Sequence, residues 1–272
     1  MALAIATNTA ALNAAASASS VNRDMETSMA RLSSGKRINS ASDDAAGVAI
    51  SSRLSAEIRG TDQAIRNSLD GQALIDTAEG AHKEIENILQ RMREVTIQAA
   101  NDTNNTQDRA NLQAEVEAMT TEIDRIAGTT TWAGANLMNA ATSEFSFQVG
   151  AATGTQNQIA VKIHKMNATG LSVGTGSASS IDVSTDVKAR SGTDLIDTAI
   201  KDVNIQRSKL GAVSNRLNHT VNNLTNISSN LSAAKGGIED ADFALETTNL
   251  AKNQILQQAS TAMLAQANAS KQ

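Results

Sequence analysis

Three groups of residues in this chain have the types and spacing that chemistry needs. Asp43 and Asp44 are adjacent carboxylates, the pairing used for general acid–base work. With Ser42 before them they also read as a helix start, the serine as N-cap and the two acids favouring the first turn. That second reading is the stronger. Gly35-Lys36 has the ending of a phosphate-binding loop, but Ala30 stands where the earlier glycine belongs and Arg37 replaces the Ser or Thr. Glu79, His82 and Glu86 share one helical face, at a spacing zinc would tolerate. A catalytic zinc also needs a cavity with an open coordination position, which a long helix does not provide, and His164 and His219 are remote in sequence. The chain has no Cys, so thiol chemistry is excluded. No nucleophile–His–acid constellation is present, so the sequence implies no enzyme, no metal and no cofactor.

The elements that would carry these residues are long. Pro is absent from all 272 residues, so no ring interrupts a helix, and the four aromatics (Trp132, Phe145, Phe147, Phe243) are too few for a conventional globular core. The spacing predicts a first helix over Asp44 to Ala99, with Ile50, Leu54, Ile58, Ile65, Leu69, Ile85, Ile88, Leu89, Met92 and Val95 on its apolar face. Such a helix would be roughly 85 Å long at about 1.5 Å per residue, too long for a compact domain. After a polar turn, Leu112, Val116, Met119, Ile123 and Ile126 predict a second helix. In the second half Ile196, Val203, Leu210, Leu217, Leu224 and Leu231 recur at every seventh position, the signature of a coiled-coil seam. Gln206 and Thr220 take the companion position in place of apolar residues. Between these helices Phe145, Phe147 and Val149, then Ile159, Val161 and Ile163, alternate with polar residues and predict a β-hairpin near 143–165. Gly170 to Ser184 reads as a Ser- and Gly-rich loop within 168–190. Gly236-Gly237 is expected to break the rod, with Glu239, Asp240 and Asp242 starting a new helix. The fold class that follows is mainly α: a long antiparallel coiled-coil rod with one β-hairpin, plus paired N- and C-terminal helices.

The two ends carry no formal charge, from Met1 to Asn22 and from Asn253 to Ser270. Leu3, Ile5, Leu12 and Val21 at one end, and Ile255, Leu256, Met263 and Leu264 at the other, are set among Ala, Ser, Asn and Gln. Such ends are expected to pair and be buried by other copies of the chain. Met1 to Asn22 lacks the basic start and unbroken apolar stretch of a cleaved signal, and no run approaches the roughly 20 apolar residues of a membrane span. A net charge of −5 opposes general nucleic-acid affinity.

The stretch from Leu32 to Gly47, LSSGKRINSASDDAAG, closely resembles the N-terminal signature of bacterial flagellins. Ile58-Arg59-Gly60, Thr77 to Ala81, Leu89 to Glu94 and Glu122 to Ala127 extend the likeness, as do Leu210 to Val213, Asn215 to Leu217, Ile238 to Phe243 and Ile255 to Ala259. The resemblance covers about Met1 to Asn139 and Leu195 to Asn268. It implies a secreted subunit that polymerises into the flagellar filament, exported unfolded by the flagellar type III route. In domain terms it implies 1–42 with 235–272 as an inner layer and 43–234 as a surrounding rod, with Lys36 and Arg37 on the spoke between them. The implied partners are other copies of the chain, an export chaperone, and cap and junction proteins, with no nucleic acid and no membrane. By residue-to-residue match, Gln90, Arg91, Val95, Leu112 and Glu115 would form a subunit contact that Toll-like receptor 5 also recognises, Val95 standing where a leucine is often found. The family's usual apolar tail after Leu264 to Asn268 does not occur before Gln272. Alternatives are a hook–filament junction protein and a surface adhesin or signalling ligand.

Overall fold

The computed structural model describes residues 8–139, 142–174 and 181–269. Its helices are α1 (Thr9–Ser34), α2 (Ala45–Ala99), α3 (Thr106–Thr129), α4 (Asp186–Glu239) and α5 (Phe243–Ala269). Two antiparallel pairs complete it: β1 (Thr131–Trp132) with β2 (Ala135–Asn136), and β3 (Thr142–Gln148) with β4 (Gln158–His164). The chain is therefore mainly α, with long antiparallel helices and a β-hairpin, as the sequence predicts. It divides into two compact units, residues 1–59 with 229–272 and residues 60–228, and α2 and α4 each contribute to both.

Unit 60–228 holds the apolar core. Polar contacts fix α2 and α4 antiparallel: Asp62 with Ser228, Glu86 with Asn204, Arg93 with Asp197 and Thr96 with Thr193. Each step along α2 is matched by an almost equal step back along α4, as a coiled-coil register requires. Between them Leu74, Ile85, Leu89, Met92 and Val95 of α2 join Ile196, Val203, Leu210 and Leu217 of α4 in one buried cluster with Val116 and Ile123 of α3. The turn before α3 is closed by a capping box, in which Asn105 accepts from the Asp108 amide and Asp108 accepts from the Asn105 amide. The β3–β4 register pairs Phe145 with Val161 and Phe147 with Ile159, turning Ile159, Val161 and Ile163 inward.

The hairpin meets α2 at Gly71, which faces Phe147, and at Asn67, which donates to the Gln148 carbonyl at 2.9 Å. Thr61, Ala64, Ser68 and Gly71 are buried, whereas Ile50 and Leu69 of the expected apolar face are exposed. A Cβ on Gly71 would lie 3.2 Å from the Phe147 ring, so close approach selects glycine there. The β1–β2 pair was not foreseen. Its two turn residues, Ala133 and Gly134, both have positive φ, but the usual Asn-Gly signal is missing. The Ser- and Gly-rich stretch is more than a solvated loop: Met166, Ala168, Leu171, Val173, Ile181 and Val183 are buried in the core, and residues 175–180 lie outside the described residues.

In unit 1–59 with 229–272, α1 ends at Gly35, whose φ of 70° gives the left-handed C-cap that glycine adopts freely. Ser42 is not the N-cap of α2. Asp44 accepts from the Gly47 amide in that role, while Asp43 accepts from the Asn39 and Ser40 amides and closes the preceding turn. Those amides, Ser40's most, hold the Asp43 carboxyl below the usual range. Gly236-Gly237 does not break α4, which continues to Glu239; the break falls at 240–242, and Asp242 caps α5 through the Ala244 and Leu245 amides.

Core position, not apolar character, sets the cost of truncation here. Leu89→Ala is expected to lower the unfolding free energy of the 60–228 unit by about 3 kcal/mol. Ile97→Ala, half-exposed on the same helix, should cost less than about 0.5 kcal/mol. Urea titration read on Trp132, the chain's sole tryptophan, checks both, and equal losses would contradict the packing described.

Candidate functional site

The most unusual surface belongs to the 1–59 with 229–272 unit. Helices α1 and α5 run antiparallel: Asn8 donates to the Ala267 carbonyl at 3.0 Å, Gln257 to Asn22 at 2.7 Å, and Arg31 pairs with Glu246 at 3.0 Å. The side chain of Glu246 is 7% exposed, so its charge depends on Arg31 for compensation. Two connections cross where the pair meets α2 and α4. The Arg37 amide donates to the Glu239 carbonyl at 2.7 Å, and the Ala241 amide to the Gly35 carbonyl at 3.0 Å. Lys36 is 3.1 Å from the Glu239 carboxylate, which also accepts from Ser51, and the Arg37 guanidinium donates to the Ile238 carbonyl at 2.8 Å.

Apart from this crossing the unit has almost no core of its own. Among the described residues, Ile38 is its one buried hydrophobic side chain. Leu12, Ile255 and Met263 are 61%, 66% and 65% exposed, and Leu256 is also exposed. Val21 and Leu264 are half-buried, while Leu3 and Ile5 lie outside the described residues. Met29, Phe243 and Leu245 are exposed as well. Ala10, Ala14, Leu256, Ala259 and Met263 line a groove of about 350 Å³ along α1 and α5. Exposed apolar side chains of this size beside a groove are the features an interaction surface presents.

On the 60–228 unit, Gln90, Arg91 and Glu115 are brought together. Arg91 spans α2 and α3, pairing with Glu115 at 2.9 Å and Glu94 at 3.0 Å, and all three carry substantial exposure. The hydrogen bonds that Arg91 donates to these carboxylates, to Glu115 foremost, raise its pKa above the ordinary value. Leu112 is half-buried against the core. Val95 does not belong to this surface: it is fully buried beneath it, so its size acts on packing. Ile196, Val203, Leu210, Leu217 and Leu224 are buried along α4, and Leu231 is half-buried. His82 is fully buried, and its helical neighbours Glu79 and Glu86 are both held by Arg207 of α4, with Glu79 at 2.7 Å. Among the described residues, no group of three or more His, Asp or Glu is placed to hold a metal.

The description "bacterial flagellin N-terminal helical region" matches residues 5–143, and "bacterial flagellin C-terminal helical region" matches 193–272. The chain is 46% identical over 240 residues to a flagellin of Halalkalibacterium halodurans, covering 88% of this chain and 86% of that one. It is 43% identical to a flagellin of Bacillus subtilis over 96% of this chain and 95% of that one. The crystal structure of Bacillus cereus flagellin is similar with a TM-score of 0.50 at 31% identity, covering 62% of this chain and 94% of that one.

The two ion-pair sites should respond differently to substitution. Arg31→Met leaves Glu246 buried and uncompensated and should weaken the α1–α5 pair by about 3 kcal/mol. Arg31→Met combined with Glu246→Leu should recover most of the loss, read as amide exchange across α1 and α5. Arg91→Ala, at an exposed pair, should change stability by less than about 1 kcal/mol in urea titration.

Proposed function

Because this chain belongs to the bacterial flagellin family, we propose that the exposed apolar face of α1 and α5 is the surface by which copies assemble. The chain is a structural subunit of the flagellar filament, serves motility and is not an enzyme; the filament lies outside the cell. Among the described residues no helix is long and apolar enough to cross a membrane. A junction protein is not favoured, because the chain covers 95% of the length of the Bacillus subtilis flagellin.

One observation carries the assembly reading. The 1–59 with 229–272 unit buries a single hydrophobic side chain among its described residues and exposes Leu12, Ile255, Leu256 and Met263. An isolated copy leaves that apolar area in water, and association removes it, at roughly 25 cal/mol per Å² buried. In this reading residues 1–42 with 235–272 form the inner layer and 43–234 the layer around it. The export chaperone, cap and junction proteins are the further partners that flagellar assembly implies.

The surface of Gln90, Arg91, Leu112 and Glu115 is the proposed contact for Toll-like receptor 5 and for subunits along the filament. What supports it is the exposed Arg91 bridge between α2 and α3, which presents a fixed charge pattern.

Leu256→Asp puts a charge on the assembly face and is expected to abolish growth from sheared filament seeds, read by pelleting and electron microscopy. Circular dichroism of the unassembled chain should be unchanged; filaments at normal yield would overturn the assignment. For the receptor, Arg91→Ala in the unassembled chain should cut the signal from reporter cells at least tenfold, and an undiminished signal would count against that contact.

A further inference from the structure

His82 is a buried polar group that assembly does not use. It lies in a layer of α2 and α4 where the aliphatic seam is interrupted. Arg207 of α4 reaches both Glu79 and Glu86, three residues before and four residues after His82. Gln206, the neighbour of Arg207, is therefore level with His82 and is itself buried. Its Nε2 donates to the Lys162 carbonyl of β4 at 2.7 Å, but its Oε1 has no partner. Neither ring nitrogen of His82 makes a full hydrogen bond either; the Ala78 carbonyl, one helical turn back, accepts only a weak one. Three buried polar atoms at one level thus lack a full hydrogen bond, a costly arrangement in a seam built mainly of aliphatic residues.

We propose that His82 and Gln206 form an acid-sensitive layer in the α2–α4 seam: protonating His82 opens the seam at this level. A neutral imidazole can stay dry at a modest cost, whereas an imidazolium with no partner cannot. To reach an anion it must compete with Arg207 for Glu79 and Glu86, which loosens the clamp joining the two helices. Among the described residues of the other elements, none acts on His82 as a counter-charge. Lys162 of β4 is turned outward to Glu144, and Glu122 and Arg125 of α3 pair with each other at the surface. Burial accordingly pushes the His82 pKa down to about 4, with Glu79 opposing, Arg207 reinforcing and the Ala78 carbonyl opposing.

The sign follows from linkage. In the unfolded chain His82 titrates near its ordinary 6.5, and in the folded chain near 4. Between those values the unfolded state binds more protons, so stability falls as pH falls. The equilibrium constant for unfolding the 60–228 unit should rise about a hundredfold from pH 7 to pH 4 on this account.

Urea titrations of the full chain, read on Trp132 fluorescence at steps from pH 7 to pH 4, test the proposal. The wild type should lose stability steadily over that range, and His82→Leu should lose most of that dependence. His164→Asn combined with His219→Asn, at the two exposed histidines, should keep it. A His82→Leu chain with the wild-type slope would overturn the proposal, as would a slope lost only in the double variant. Should His82→Leu not fold, the imidazole C2 proton of the wild type decides by NMR. A resonance titrating near 4 supports the layer, and one titrating near 6.5 overturns it.

Discussion

The antiparallel crossing of Gly35–Arg37 with Ile238–Ala241 is the contact on which the terminal unit depends. It joins stretches about two hundred residues apart through two backbone hydrogen bonds, with Lys36 and Ser51 converging on Glu239. Because α1 ends at Gly35 and α5 begins after Asp242, the crossing sets the register in which those helices then run. Arg31–Glu246, Asn22–Gln257 and Asn8–Ala267 follow in order along the pair. The two motifs that mark the family in sequence, around Gly35 and around Asp240, are the two sides of this crossing. Their residue types answer a geometric need: a left-handed cap, a short cation–carboxylate pair and a helix-capping aspartate.

The two units solve the problem of burial differently. The 60–228 unit closes its own core with aliphatic residues from α2, α3, α4 and the hairpin. The terminal unit specifies its pairing by polar contacts and leaves its apolar residues outside. Polar register contacts give little net stability in water, and in the proposed assembly the driving force is the apolar area that other copies cover. A subunit built this way has a self-sufficient part and a part completed by its neighbours.

Much of this was legible in the sequence. The seven-residue repeat from Ile196 gave the buried line of α4, because a heptad with no interruption has one face to bury. The alternation at Phe145 and Ile159 gave the hairpin and its inward side. What was less legible turned on neighbours that spacing does not reveal. Val95 was assigned by match to an exposed surface, yet its turn of α2 faces the core. The large residues Ile50 and Leu69 marked the wrong edge of α2, whose buried edge carries Ala64, Ser68 and Gly71, with Phe147 of the hairpin close against Gly71. Gly236 and Gly237 looked like a break, but low helix propensity is a weak prior that tertiary contacts at Glu239 override. Glu79, His82 and Glu86 share one helical face in the sequence; what the structure adds is that the imidazole is buried and its acidic neighbours are taken by Arg207.

The central claim is that assembly buries the apolar face of α1 and α5. Hydroxyl-radical footprinting of Met263 and Met29, both more than half exposed in the single chain, tests it most directly. The account predicts strong oxidation of both methionines in the unassembled chain and marked protection in pelleted filaments. Equal oxidation in the two states would contradict it.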